Sequence, residues 1–158
     1  KYMTKIEKRY ISQEEINRYC LNIVSMMFRD NFKPDIIVGI TRGGLWPAMM
    51  LSHYLGIKMH TLDVRLRDGD IKENAKYLKT QMIKGTNILI VDDINDTGAT
   101  FKWIKDDWNV PDDSTKSNVK FAALIDNVPS DFVVEYSGVE INKEENPEWI
   151  VFPYEEWW

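Results

Sequence analysis

The sequence predicts a single α/β domain built on a mostly parallel sheet flanked by helices. Three observations carry this expectation. Short apolar runs recur at residues 36–40, 87–91 and 121–125, the first of them continuous and β-branched. Runs of this kind suit strands buried on both faces, as in a parallel sheet. Between them lie stretches with helical spacing of apolar residues, and strands alternating with helices predict parallel pairing. The length of 158 residues suits one domain, with no internal repeat and no linker that divides it.

The elements follow in order. Ser12-Gln13-Glu14-Glu15 reads as a capping box, with Ser12 as N-cap and Glu15 reaching back. Behind it Ile16, Tyr19, Cys20, Ile23, Val24 and Met27 recur at helical spacing, which predicts a helix to about Asn31. Lys33-Pro34-Asp35 ends it. The strand at 36–40 runs into the tight loop Thr41-Arg42-Gly43-Gly44. A helix over 45–54 carries Pro47 in its first turn, where the missing N–H costs nothing. A strand is expected at 57–64. Residues 65–84 are charged and weakly periodic, and read as an excursion from the sheet. The strand at 87–91 enters Asp92-Asp93 and a polar turn, followed by a helix over about 99–107. A polar loop at 110–118 precedes the strand at 121–125. Residues 132–136 and 149–152 are expected to add short strands.

Composition excludes several classes. The formal charge is −5 without a long basic run, which argues against nucleic-acid binding. No apolar stretch reaches the ~18 residues of a transmembrane helix. No signal-peptide pattern opens the chain, so a soluble cytoplasmic protein is expected. The single cysteine, Cys20, falls in an apolar-periodic segment and reads as a buried small hydrophobe. His53 and His60 have no cysteine or second histidine near them in sequence, so both read as structural or surface residues. Six tryptophans are many for this length, and Trp157 and Trp158 close the chain. Aromatics so placed pack either on the domain or on a partner, and a homo-oligomer, dimer or tetramer, is expected.

Two loops at strand ends carry chemistry. In open α/β sheets ligands bind beyond the carboxyl ends of the strands. Residues 92–100 place Asp92, Asp93 and Asp96 beside Thr97, Gly98, Ala99 and Thr100 at a helix start. Backbone N–H groups and hydroxyls at the positive end of a helix dipole cradle a phosphate monoester. Asp92 and Asp93 suit sugar hydroxyls, or a Mg²⁺ that bridges diphosphate oxygens. A ligand with ribose hydroxyls and phosphates satisfies both halves. In the second loop, Gly43 and Gly44 permit a concave set of N–H donors and Arg42 adds positive charge, a site suited to pyrophosphate. Taken alone, that loop is equally a plain strand-to-helix turn.

The run Ile90-Val91-Asp92-Asp93-Ile94-Asn95-Asp96-Thr97-Gly98-Ala99-Thr100 resembles the ribose-phosphate signature of type I phosphoribosyltransferases. That signature is an apolar strand, two acidic residues, two variable positions, then Asp-Thr-Gly-x-Thr. Gly39-Ile40-Thr41-Arg42-Gly43-Gly44-Leu45 resembles the pyrophosphate loop of the same family. Trp149-Ile150-Val151-Phe152-Pro153-Tyr154-Glu155 resembles the C-terminal base-binding piece of its short xanthine–guanine–hypoxanthine branch. In order and spacing the likeness spans about residues 36–155.

The resemblance implies the type I phosphoribosyltransferase fold, with a flexible hood at about 65–84 and a base-binding segment at about 126–158. It implies Mg²⁺ as cofactor, and phosphoribosyl pyrophosphate (PRPP) and a nucleobase as partners. The implied reaction moves the 5-phosphoribosyl group to a 6-oxopurine (hypoxanthine, guanine or xanthine) and releases pyrophosphate, a step of purine salvage. By the same likeness Asp92 and Asp93 bind the ribose hydroxyls and, with Glu155, hold Mg²⁺. Asp96, Thr97, Gly98, Ala99 and Thr100 hold the 5′-phosphate, and Asp96, near N7 of the base, is the general acid/base. Thr41, Arg42 and Gly43 contact pyrophosphate, while Arg65, Arg67 and Lys72 belong to the hood. Asn127, Trp149 and Ile150 read the base, with Phe152 and Tyr154 as alternative stacking partners. The purine enzymes usually carry a Lys just after the third core strand, where this chain has Asp126-Asn127-Val128-Pro129. Two alternatives therefore stand beside the main reading: a non-catalytic module that senses PRPP or a nucleotide, and a phosphoribosyltransferase for a different base.

Overall fold

The computed structural model describes residues 5–64 and 73–158. The elements run β1 (Glu7–Tyr10), α1 (Gln13–Arg29), β2 (Ile36–Ile40), α2 (Leu45–Leu55), β3 (Lys58–Leu62), α3 (Glu73–Ile83), β4 (Ile88–Asn95), α4 (Ala99–Trp108), β5 (Val119–Asn127), β6 (Tyr136–Ile141) and β7 (Glu148–Val151). A five-stranded sheet has the order β3-β2-β4-β5-β6, with every pair parallel. This is the expected α/β architecture. The separate parallel pair β1-β7 ties the start of the described chain to its C-terminal end.

Strand alternation sorts the core into two layers. Successive side chains of a strand face opposite sides. Ile37, Leu89, Val91, Ala122 and Leu124 meet α1 and α2 on one face, through Ile16, Ile23, Ala48 and Leu51. Ile36, Val38, Ile88, Ile90, Phe121 and Ala123 meet α3 and α4 on the other, through Leu78, Phe101, Ile104 and Trp108. The capping box on α1 is present in both directions, Ser12 Oγ to the Glu15 N–H and the Glu15 carboxylate to the Ser12 N–H.

Three expectations shift. Residues 73–83 form α3 instead of an excursion, because Ala75 and Leu78 find apolar partners on the second face of the sheet. The rest of the expected hood, with Arg65, Arg67 and Lys72, lies outside the described residues. The strand expected at 132–136 begins only at Tyr136. Phe132 instead turns into the core against Phe101 and Phe121, with ring centroids 5.5 and 4.9 Å away. The 110–118 loop carries a single 3₁₀ turn at Ser114–Lys116. Cys20 is buried and burial pushes its thiol up to about 12, an inert apolar residue as expected. His53 is exposed on α2, and His60 on β3 packs on Tyr77 at 5.5 Å. Among the described residues no helix is long and apolar enough to cross a membrane.

Ile90, fully buried in β4, anchors the strand that feeds the acidic loop. Ile90→Ala is expected to cost about 2–5 kcal/mol in urea unfolding, whereas Val133→Ala, at a position 89% exposed, is expected to change stability by less than about 0.5 kcal/mol.

Candidate active site

The topology locates the site before any side chain is considered. β2 and β4 are neighbours, yet α2 follows β2 onto one face and α4 follows β4 onto the other. Chains that part to opposite faces leave a crevice between their strand ends, where ligands of open α/β sheets bind. The pairing of β4 with β2 stops at Val91, opposite Gly39, while its pairing with β5 continues to Asn95. Asp92 and Asp93 therefore sit in strand, not loop, beyond the point where β2 has departed.

The pleat divides the two acids. Asp92 follows Ile90 on the α4 side and lines a small cavity of about 80 Å³ with Asp96, Thr97, Gly98 and Thr100. Asp93 follows Val91 on the α2 side and lines a larger cavity of about 700 Å³ with Arg42, Gly43, Trp46, Tyr154 and Glu155. Residues predicted from two distant loops thus share one crevice.

The larger cavity is formed by close backbone contact. A Cβ on Gly43 would overlap the Asp93 carboxylate, and one on Gly44 would overlap the Val91 carbonyl. Only glycine lets this loop approach β4 so closely. Arg42 is exposed at the mouth, and the Thr41–Arg42 peptide is cis. The Tyr154 hydroxyl lies 3.1 Å from both the Gly43 carbonyl and Asp93 Oδ2. It is a hydrogen-bonding residue of the site, whereas sequence offered it as a stacking partner. Burial and the adjacent Asp93 carboxylate raise its pKa, so the phenol keeps its proton. Glu155 is exposed and its Oε1 accepts from the Phe152 N–H at 3.0 Å.

The smaller cavity ends on the start of α4. Gly98 is its N-cap with φ of 89°, the left-handed region, and has no side chain of its own to cap the helix; the Ala99 N–H donates to Thr97 Oγ1 at 3.3 Å. A Cβ there would lie 2.7 Å from the Phe132 nitrogen. The start of α4 lines this cavity through Gly98, Ala99 and Thr100, and a helix N-terminus is suited to a phosphate. Asn95, only 3% exposed, braces the loop from behind. Its Nδ2 lies 2.9 Å from Asp126 Oδ1, Ser130 Oγ and the Phe132 carbonyl. Asp126 therefore spends a carboxylate oxygen on an internal amide.

Two further residues adjoin Asp96. Asn127 Nδ2 donates to the Asp96 carbonyl at 2.9 Å, and its Oδ1 accepts from the Lys143 N–H at 2.9 Å. Lys143 Nζ pairs with Asp96 Oδ1 at 3.0 Å. Sequence reasoning passed over Lys143, which stands in the charged run Asn142-Lys143-Glu144-Glu145 with no motif around it. Trp149 is 60% exposed on β7, while the Ile150 side chain is buried in the first core layer.

Burial works against charge on both acids. Burial, then the negative charge of Asp93, raises the pKa of Asp92; burial also raises that of Asp93. Local N–H groups give partial relief, Asp93 N to Asp92 Oδ1 at 2.9 Å and Ile94 N to Asp93 Oδ1 at 2.8 Å. Among the described residues no three His, Cys, Asp or Glu side chains converge on one point. Asp92, Asp93 and Glu155 are thus not a preassembled cage. One or two carboxylates completed by substrate oxygens and water is a donor set that suits Mg²⁺.

Comparison with known proteins agrees with this geometry. The model of the phosphoribosyl transferase domain matches residues 4–156. Xanthine phosphoribosyltransferase 1 of Saccharomyces cerevisiae is 26% identical over 125 residues, 64% of this chain. The match spans 60% of the length of that curated relative. A crystal structure of purine phosphoribosyltransferase from Pyrococcus horikoshii superposes with a TM-score of 0.68 at 29% identity, covering 96% of this chain and 95% of the other. The xanthine-guanine-hypoxanthine phosphoribosyltransferase of Helicobacter pylori shares the fold, with a TM-score of 0.68 at 18% identity and 94% of each chain covered.

Asp92 binds its proton more tightly folded than unfolded, so it adds stability at low pH and loses it as pH rises above the usual carboxylate range. In thermal melts of the ligand-free protein, Asp92→Asn is expected to melt about 3 °C above wild type at pH 7.5, about 1 kcal/mol. The gap should close towards pH 4; a variant less stable than wild type at pH 7.5 would contradict this electrostatic reading.

Proposed function

The chain belongs to the phosphoribosyl transferase family, and on that premise we propose that it moves the 5-phosphoribosyl group of PRPP onto a 6-oxopurine. The products are the nucleotide and pyrophosphate, and the setting is cytoplasmic purine salvage. One observation carries the reading. The crevice between β2 and β4 has an open helix N-terminus on one side, a cationic glycine loop on the other and an acid pair divided between them. A ribose with a 5′-phosphate and a 1-diphosphate has the same three parts. The purine-acting relatives support a purine as acceptor.

Each residue then has a task. Thr97, Gly98, Ala99 and Thr100, with the Asp96 backbone, hold the 5′-phosphate at the start of α4. Asp92 and Asp93 bind the ribose hydroxyls from the two sides of the strand. Thr41, Arg42 and Gly43 orient the departing pyrophosphate, with the Tyr154 hydroxyl bracing Gly43 against Asp93. Asp92 and Asp93, with Glu155 at the cavity mouth, are the residues that would hold Mg²⁺, which when bound supplies positive charge against the diphosphate oxygens. The Asp96 carboxylate exchanges a proton with N7 of the base. Asn127, Trp149 and Ile150, within the segment 126–158, line the base side. Positive charge grows at the sugar C1 as pyrophosphate leaves, so the protein works by alignment and placed charge.

The reading extends to a homo-oligomer, dimer or tetramer. Trp157 and Trp158 stand 78% and 85% exposed, edge to face with each other, and exposed aromatic area of this kind suits a second copy.

Turnover tests the proposal. With Mg²⁺ and PRPP, pyrophosphate release is expected with hypoxanthine, guanine or xanthine, and not with adenine or uracil. PRPP binding without turnover of any base would overturn the enzyme reading and leave a PRPP-sensing module; turnover of uracil or adenine alone would overturn the purine-oxo choice.

A further inference from the structure

The loop after β2 spends most of its backbone groups inside the fold. The Thr41 N–H donates to the Leu62 carbonyl at 2.9 Å, that of Gly44 to the Ile40 carbonyl at 2.8 Å, and that of Leu45 to the Arg42 carbonyl at 3.1 Å. Among the described residues the N–H groups of Arg42 and Gly43 meet no acceptor. Consecutive N–H groups left in this way suit an anion.

Two glycines in succession let the peptide between them turn over, because neither carries the side chain that limits φ and ψ. A turned Gly43–Gly44 peptide would exchange its N–H for a carbonyl oxygen, which repels an anion. Here that peptide is held at both ends. Its N–H goes to Ile40, and its carbonyl oxygen lies 3.1 Å from the Tyr154 hydroxyl.

Tyr154 reaches the loop from far along the chain. Its segment is anchored on one side by β7, which pairs with β1. On the other, Glu156 accepts from Lys8 Nζ at 2.9 Å and from the Tyr10 hydroxyl at 3.3 Å. The Tyr154 ring stacks on Phe152, with centroids 5.4 Å apart and planes 2° from parallel, and meets Trp46 at 6.2 Å. The ring is therefore packed on the protein's own aromatics, and the hydroxyl is the part aimed at the site.

We propose that Tyr154 is a positioning residue for the departing pyrophosphate, holding the Gly43–Gly44 peptide so that the loop offers N–H groups to the diphosphate. The inference rests on the transfer reading above. A phenol carries one hydrogen, and the same hydroxyl lies 3.1 Å from Asp93 Oδ2. When ribose hydroxyls engage Asp93, that hydrogen is released to the Gly43 carbonyl. Sugar binding on β4 thereby tightens the loop that receives the leaving group.

The test compares wild type, Tyr154→Phe and Tyr154→Leu. Inorganic pyrophosphate with Mg²⁺ is titrated calorimetrically, and KM is measured for PRPP and for the purine that wild type accepts. Tyr154→Phe keeps the ring on Phe152 and removes only the hydroxyl. It is expected to weaken pyrophosphate binding and raise KM for PRPP about fivefold, with KM for the purine within about twofold. Tyr154→Leu is expected to weaken pyrophosphate binding at least as much. A merely structural role would not separate the two KM values. A ring that stacks on the base would give the reverse pattern, with Tyr154→Phe like wild type and Tyr154→Leu raising KM for the purine alone; that result would overturn the inference. If wild type turns over no base, the transfer reading fails, and the pyrophosphate titration still decides this inference. Equal pyrophosphate affinity in wild type and Tyr154→Phe overturns it, as does a wild type that binds no pyrophosphate.

Discussion

β2 and β4 are hydrogen-bonded neighbours whose helices pack on opposite faces of the sheet, and the site depends on that divergence. Because β2 leaves the sheet at Ile40 while β4 runs on to Asn95, the last turns of β4 face open space on the β2 side. Right-handed crossovers produce this geometry without special residues. The sequence then lines the opening with two acids, an arginine and close-packed glycines. Gly43 and Gly44 bring one wall close enough to touch Asp93 and Val91. Gly98 takes the positive φ that starts α4.

Alternation along β4 adds a division of labour. Consecutive side chains of a strand face opposite sides, so Asp92 lines the cavity at the start of α4 and Asp93 the cavity beside Arg42 and Gly43. Adjacent acids do not therefore act as one chelating pair in the ligand-free fold. Their proximity still raises the pKa of Asp92, and burial raises both. The ligand-free protein carries this unfavourable burial of charge. Stability is given up where binding needs charge, a common trade at functional sites.

Much of this was legible in the sequence because it lies in local patterns. The buried strands appear as continuous apolar runs, and the capping box marks the start of α1 at the expected residue. The phosphate and pyrophosphate loops each fall within a few consecutive residues. What was not legible depends on contacts between distant segments. α3 looked like a charged excursion because its apolar face, Ala75 and Leu78, is short and meaningful only against the sheet. Phe132 looked like strand, yet it belongs to an aromatic cluster with Phe101 and Phe121. Lys143 and the Tyr154 hydroxyl had no local signal, since each acts on a residue far along the chain, Asp96 and Asp93. Pairing of β1 with β7 is equally non-local, joining strands from opposite ends of the chain.

The acid pair at the end of β4 is the centre of the account, and direct binding tests it. Calorimetric titration of PRPP with Mg²⁺ into wild type is expected to give saturable one-site binding, and the double variant Asp92→Asn, Asp93→Asn is expected to give none while keeping a cooperative thermal transition. Unchanged PRPP affinity in the folded double variant would contradict the account, because the ribose-phosphate site would then lie elsewhere.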